Sequence, residues 1–193
     1  MNTERKRLFD QAVRSRAIDF DHLIILAHAV LETGWFDHVV GLNNYWGMKA
    51  PSDWKGLVCR KPTMEIFTDA KKAVDFINAR KADIIEVRIG GWRGDPVVKT
   101  DEEGQIWVLS YFTIKVFENF ADWATPEGAV DQYLSRLVRL FPKAFEAKDN
   151  PSDFVSGLLA GPFRWATDPD YAAKFLAVYA KLKAMQEDSG DVV

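Results

Sequence analysis

One glutamate stands where the sequence otherwise avoids charge. From His22 to Thr33 the chain reads His22-Leu23-Ile24-Ile25-Leu26-Ala27-His28-Ala29-Val30-Leu31-Glu32-Thr33, almost wholly apolar, and Gly34 follows. A helix apolar all round is a buried helix, and a glycine just past the last turn is a common helix stop. Glu32 in that last turn would be costly to ionise, because burial disfavours the charged carboxylate and the helix C-terminus opposes negative charge. The expectation is a raised pKa. A carboxylic acid kept protonated near neutral pH is suited to donating a proton to a leaving oxygen. Taken alone, a glutamate at a helix end is more often a solvated one, so its neighbours must decide.

Other chemistries are poorly supplied. His22, His28 and His38 are the three histidines, and His22 and His28 do not share a helix face. With Cys59 as the lone cysteine, neither a metal site nor a disulfide framework is expected, and no cofactor. A net charge of −3 without a basic stripe excludes the usual nucleic-acid binder. No apolar run approaches a membrane span. Residues 1–7 are charged but no apolar stretch follows, so no signal peptide is expected in this chain. Seven tryptophans and thirteen phenylalanines mostly anchor a core, leaving a few that would line a carbohydrate cleft.

The elements that must position these residues follow from patterning. Residues 3–16 read as a first helix and 22–33 as the buried second, with Asp19 or Asp21 as its N-cap. Residues 35–56 are loop-like. Strand patterns follow at Leu57–Phe67, Ile84–Ile89, Val97–Lys99 and Ile106–Phe117, with a helical stretch over 69–82 and turn signals at Gly90-Gly91 and Gly94-Asp95-Pro96. Thr125-Pro126-Glu127 begins another helix, with proline at N1. Residues 151–160 and the stretch after Asp168-Pro169 give two more. The fold class is α+β: a mainly helical lobe with a small antiparallel β lobe inserted at about 57–117, in one domain over 1–193.

Four motifs in order then carry a resemblance. Ala29-Val30-Leu31-Glu32-Thr33-Gly34-Trp35-Phe36 is followed by Asn44-Tyr45-Trp46-Gly47-Met48-Lys49-Ala50 and by Trp54-Lys55-Gly56, and near the other end stands Ala166-Thr167-Asp168-Pro169-Asp170-Tyr171-Ala172. Together they resemble glycoside hydrolase family 73, the peptidoglycan endo-β-N-acetylglucosaminidases that include the flagellar-muramidase-like domain. The resemblance implies a lysozyme-like fold, a cleft between a helical and a β lobe, and hydrolysis of the β-1,4 bond after N-acetylglucosamine, with Glu32 as general acid. It implies a second carboxylate in a T-x-E pattern. Thr63-Met64-Glu65 fits without a gap from Trp54-Lys55-Gly56, and Thr100-Asp101-Glu102 is the rival.

Substrate contacts are expected from Trp35, Asn44, Tyr45, Trp46, Trp165 and Tyr171, with Asn44 and Gly47 also holding their loop and one aromatic facing the cleft. The implied partner is the peptidoglycan glycan strand, the enzyme a monomer, and the place of action the bacterial cell wall or periplasm, by an export route left open and with a phage or prophage origin among the settings. Two residues depart from the family pattern. Trp165 stands where a tyrosine is usual; an indole stacks on sugar or donates one N–H but is no base. Phe36 stands where glycine is usual, and is expected to narrow the cleft. Rival readings are a muramidase or lytic transglycosylase, and a non-catalytic wall-binding module.

Overall fold

The computed structural model of the chain describes residues 3–89, 97–100, 106–109 and 112–188. In chain order the elements are α1 (Thr3–Arg16), α2 (His22–Thr33), β1 (Leu57–Phe67), α3 (Ala70–Ala79), β2 (Ile84–Ile89), β3 (Val97–Thr100), β4 (Ile106–Leu109), β5 (Phe112–Asp122), α4 (Pro126–Leu140), α5 (Pro142–Glu146), α6 (Pro151–Leu159) and α7 (Tyr171–Asp188). They form two compact units, one of the residues up to Val58 with those from Ala121, the other Cys59–Phe120.

The first unit is helical and is built around α2. Leu23 through Val30 are all buried, on every face of the helix. Asp21 caps the start, accepting from the Leu23 N–H at 2.9 Å, and the Tyr179 hydroxyl of α7 donates to its other oxygen at 2.6 Å. Phe9 of α1 packs against Phe36, Tyr45 and Trp46 with ring centres 4.3–5.6 Å apart. Helix α6 meets α5 closely: a Cβ at Gly157 would fall 2.4 Å from the Ala144 backbone nitrogen, so only glycine fits.

The second unit holds a three-stranded sheet in the order β1-β5-β2 and the hairpin β3-β4. Strand β2 runs antiparallel to β5, with Val87 opposite Ile114 and Ile89 opposite Phe112. Pro62 is tolerated in β1 because that strand is the sheet edge. Arg80 ties the unit together, donating to the Phe117 carbonyl at 2.9 Å and pairing with Asp83 and the buried Glu118.

Three boundaries differ from the pattern reading. The expected strand Ile106–Phe117 is two strands, β4 and β5, and the second runs on to Asp122. The helix expected over 69–82 stops at Ala79, and a 3₁₀ turn takes over at Lys81–Asp83. Helix α7 starts at Tyr171, after Asp168 has turned the chain by accepting from the Asp170 N–H at 2.9 Å. The described residues of the β lobe expected at about 57–117 fall, from Cys59 on, within the Cys59–Phe120 unit; Glu102 lies outside the described residues.

Candidate active site

Glu32 ends α2 with its side chain 24% exposed. It lines a hollow of about 310 Å³ together with Trp46, Gly47, Met48, Lys49, Arg136, Arg164 and Trp165. Two side chains from far along the chain converge on one of its oxygens. The Trp165 indole donates to Oε1 at 3.2 Å, and the Tyr171 hydroxyl donates to the same atom. Among the described residues no donor reaches Oε2, so that is the oxygen available to a ligand.

A third group approaches from the same helix. His28 lies one turn before Glu32 and is fully buried. Its Nδ1 is 2.6 Å from the Tyr133 hydroxyl. With the Tyr133 hydroxyl donating to Nδ1, the ring hydrogen sits on Nε2, the nitrogen that faces Glu32. That Nε2 stands 3.7 Å from Glu32 Oε1. The gap is too long for a hydrogen bond, so His28 acts on Glu32 through its field.

These neighbours reverse the expected pKa. Burial is the largest single influence and pushes the Glu32 carboxyl up, but His28, Tyr171 and Trp165 together outweigh it and hold the group below its usual value. Every one of the three points hydrogen at the carboxylate, which favours the ionised form. The reading from burial and helix dipole alone is thereby corrected. Tyr171 answers in kind: burial and then the Glu32 charge raise its phenol far above the ordinary range.

The turn after α2 has an unusual backbone. Gly34, Trp35 and Phe36 take φ of 55°, 61° and 66° in succession. Thr33 supports the turn, its hydroxyl donating to the Ala29 carbonyl at 2.6 Å and accepting from the Phe36 N–H at 2.9 Å. Left-handed backbone is strained for a bulky residue, which explains why glycine suits the Phe36 position. Phe36 does not narrow a cleft: it is fully buried among Phe9 and Tyr45. Trp35 is not part of the Glu32 hollow either; its ring carries the Lys181 ammonium at 4.6 Å.

Asn44 and Tyr45, expected to touch sugar, are enclosed. The Asn44 amide donates to the Met48 and Ala121 carbonyls at 2.9 and 2.7 Å and its oxygen accepts from the Met48 N–H. The Tyr45 hydroxyl donates to Asn43, and burial pushes its pKa up to about 12. Gly47 takes φ 59°, as a loop of this kind requires. Trp46 is mostly buried, stacked on Tyr133 with centres 3.9 Å apart, yet contributes to the wall beside Glu32. Tyr171 is buried and its hydroxyl is committed to Glu32, so it positions the carboxylate and does not present a face to sugar. Three of the expected aromatics are brought to Glu32: Trp165 and Trp46 in the wall of the hollow, and Tyr171 through its hydroxyl.

A second hollow, of about 190 Å³, shares Met48, Lys49 and Arg136 with the first and extends past Trp54 and Trp123. Gly56 is explained here: a Cβ would meet the Trp54 ring at 2.7 Å. Glu65 lies on β1 in the other unit, on the strand face that it shares with Thr63 and Phe67, each half-buried. Pattern reading missed His28, Tyr133 and Arg136. Only His28 left a signal, its spacing of four from Glu32 on one helix.

The described residues contain no group of three His, Cys, Asp or Glu able to hold a metal ion, and no helix long and apolar enough to cross a membrane. The architecture is that of a lysozyme-like glycoside hydrolase. It matches the glycoside hydrolase domain of FlgJ from Salmonella typhimurium with a TM-score of 0.61, over 98% of this chain and 93% of that one, at 21% identity. It matches a peptidoglycan hydrolase from Sphingomonas sp. A1 with a TM-score of 0.57, over 97% of each chain, at 20% identity. No curated protein sequence matches. The chain belongs to the glucosaminidase family, described as mannosyl-glycoprotein endo-β-N-acetylglucosaminidase, whose profile covers residues 11–184. It is a glycoside hydrolase.

Proposed function

We propose that this chain hydrolyses the glycan strand of peptidoglycan at the β-1,4 bond after N-acetylglucosamine. Glu32 is the general acid and Glu65 the second carboxylate. The observation that carries the reading is the convergence of Trp165 and Tyr171 on Glu32 Oε1 at the wall of a hollow. A carboxylate so held keeps Oε2 for the leaving oxygen. Family membership and the peptidoglycan-cleaving relative from Sphingomonas support the substrate class.

The depressed pKa leaves Glu32 ionised in the free enzyme near neutral pH. A sugar entering the hollow expels water and strengthens the burial that already opposes ionisation, so the carboxyl takes up a proton with its substrate. Once that proton passes to the leaving oxygen, Tyr171, Trp165 and His28 receive the new carboxylate. Glu65 activates water or stabilises the oxocarbenium-like charge. Trp165 offers a stacking face in the same wall.

The family match spans residues 11–184, which supports reading the chain as one glucosaminidase domain that includes the Cys59–Phe120 unit. The enzyme works as a monomer on cell-wall glycan. Zymography on purified peptidoglycan, with mass spectrometry of the new reducing ends, tests the reading. Reducing-end N-acetylglucosamine is expected; reducing-end muramic acid, or an anhydro product, overturns the bond assignment.

A further inference from the structure

The two adjoining hollows are lined by four cationic side chains, Lys49, Arg136, Arg139 and Arg164, and by one acidic side chain, Glu32. The whole chain has a net charge of −3, so this concentration is local. Arg136, on α4, belongs to both linings and is half-buried. Its Nε is enclosed with no hydrogen-bond partner, and no carboxylate pairs with its guanidinium among the described residues. Burial, and then Arg139 beside it, lower its pKa.

A guanidinium whose Nε has lost water and gained no partner is held at a cost that an anionic ligand on its fork would offset. Its planar fork matches a carboxylate with two parallel N–H bonds. Position narrows the ligand further. The Arg136 guanidinium lies 5.9 Å from the centre of the Trp165 ring, and the Trp165 indole nitrogen is bonded to Glu32. One indole therefore separates the unpaired cation from the proton donor, a distance spanned by a sugar and its substituent.

We infer that Arg136 is the centre of a carboxylate-binding subsite for the acidic substituent of the glycan, with Arg139 and Arg164 adding to its field. The inference rests on the peptidoglycan reading for the identity of that substituent. The lactyl ether of N-acetylmuramic acid supplies a carboxylate when the strand is stripped of peptide. When peptide is attached, that carboxyl is an amide and the peptide's own carboxylates take its place.

The test measures binding of three probes to the catalytically disabled Glu32→Gln protein: N-acetylmuramic acid, its methyl ester, and muramyl dipeptide. Nuclear magnetic resonance of the arginine Nε–H groups reads the contact at low and high salt. Preference for N-acetylmuramic acid over its ester, on the order of tenfold and erased by salt, supports a subsite for the lactyl carboxylate. Preference for the dipeptide alone supports one for the peptide. Either preference must collapse in Arg136→Gln and survive in part in Arg136→Lys, with circular dichroism confirming the fold. Absence of any carboxylate-dependent binding, or a preference untouched by Arg136→Gln, overturns the subsite. Cleavage of a neutral N-acetylglucosamine oligosaccharide by the native chain, followed in parallel, reports on the glycosidase reading by itself.

Discussion

His28 turns its Nε2 to within 3.7 Å of Glu32 Oε1 from one helical turn away. The ring is fully buried, and the Tyr133 hydroxyl holds its Nδ1 from the opposite side. With Tyr171 and Trp165 on the same oxygen, the carboxylate is held by groups that favour its charge. The acid is thus strengthened in the free enzyme and must be loaded by its substrate.

That arrangement predicts two separate pH limbs. General acid catalysis needs protonated Glu32, so rate falls as pH rises through its pKa. The kcat/KM profile reports the free enzyme and kcat the complex. The alkaline limb of kcat is expected at higher pH than that of kcat/KM. Tyr171→Phe removes one donor from the carboxylate and should move the kcat/KM limb to higher pH. A limb that stays in place or moves down contradicts the role given to Tyr171.

Replacing Glu32 by glutamine keeps the shape and removes the transferable proton. The expected loss in kcat is at least ~10²–10⁴-fold, the usual worth of a positioned acid. Thermal unfolding should be little changed, because the amide still accepts from Trp165 and Tyr171. Retention of more than about a tenth of native activity is incompatible with the assignment.

The second carboxylate is separable by kinetics. Glu65→Gln should lower kcat strongly with little change in substrate binding, and Glu102→Gln should do little. The opposite pattern transfers the role to Glu102. Near-normal rates in both variants point to a single-acid enzyme such as a lytic transglycosylase, which needs no base for water.

Phe36 yields an inverted order of stability. Phe36→Ala loses roughly 3–5 kcal/mol of core packing and keeps the left-handed strain at φ 66°. Phe36→Gly loses slightly more side chain but relieves strain of about 1 kcal/mol or more. The glycine variant is therefore expected to unfold at the higher denaturant midpoint. An alanine variant as stable as or more stable than glycine would show that the backbone is not strained there.

The pattern of the chain revealed what neighbouring residues settle between themselves. The unbroken apolar run of α2, its stop at Gly34 and the Thr125-Pro126 start of α4 all appear where periodicity and caps put them. The motifs also marked Glu32 and Trp165 as members of one site before any contact was visible. The sign of the Glu32 shift was not legible, because two of its donors lie 133 and 139 residues away. Asn44 was legible as the holder of its loop, but its enclosure and that of Tyr45 were not, for a similar reason: Ala121, which receives the Asn44 amide, is 77 residues further on. Arg136 carried no mark at all, since an arginine on an amphipathic helix is ordinarily solvated.

The Asn44 loop has a bearing on how this chain tolerates change. Asn44 and the Met48 carbonyl bond to the backbone of Ala121, while Asp122 accepts from the N–H groups of Leu42, Asn43 and Trp123. Ala121 and Asp122, the last residues of β5, are thus sewn into the helical unit to which they belong. Lengthening a connection already closed at its ends adds only about 0.6 kcal/mol per doubling. The intervening segment is therefore free to change in length away from Glu65, while the seam at Asn44 and Asp122 keeps the Glu32 hollow intact.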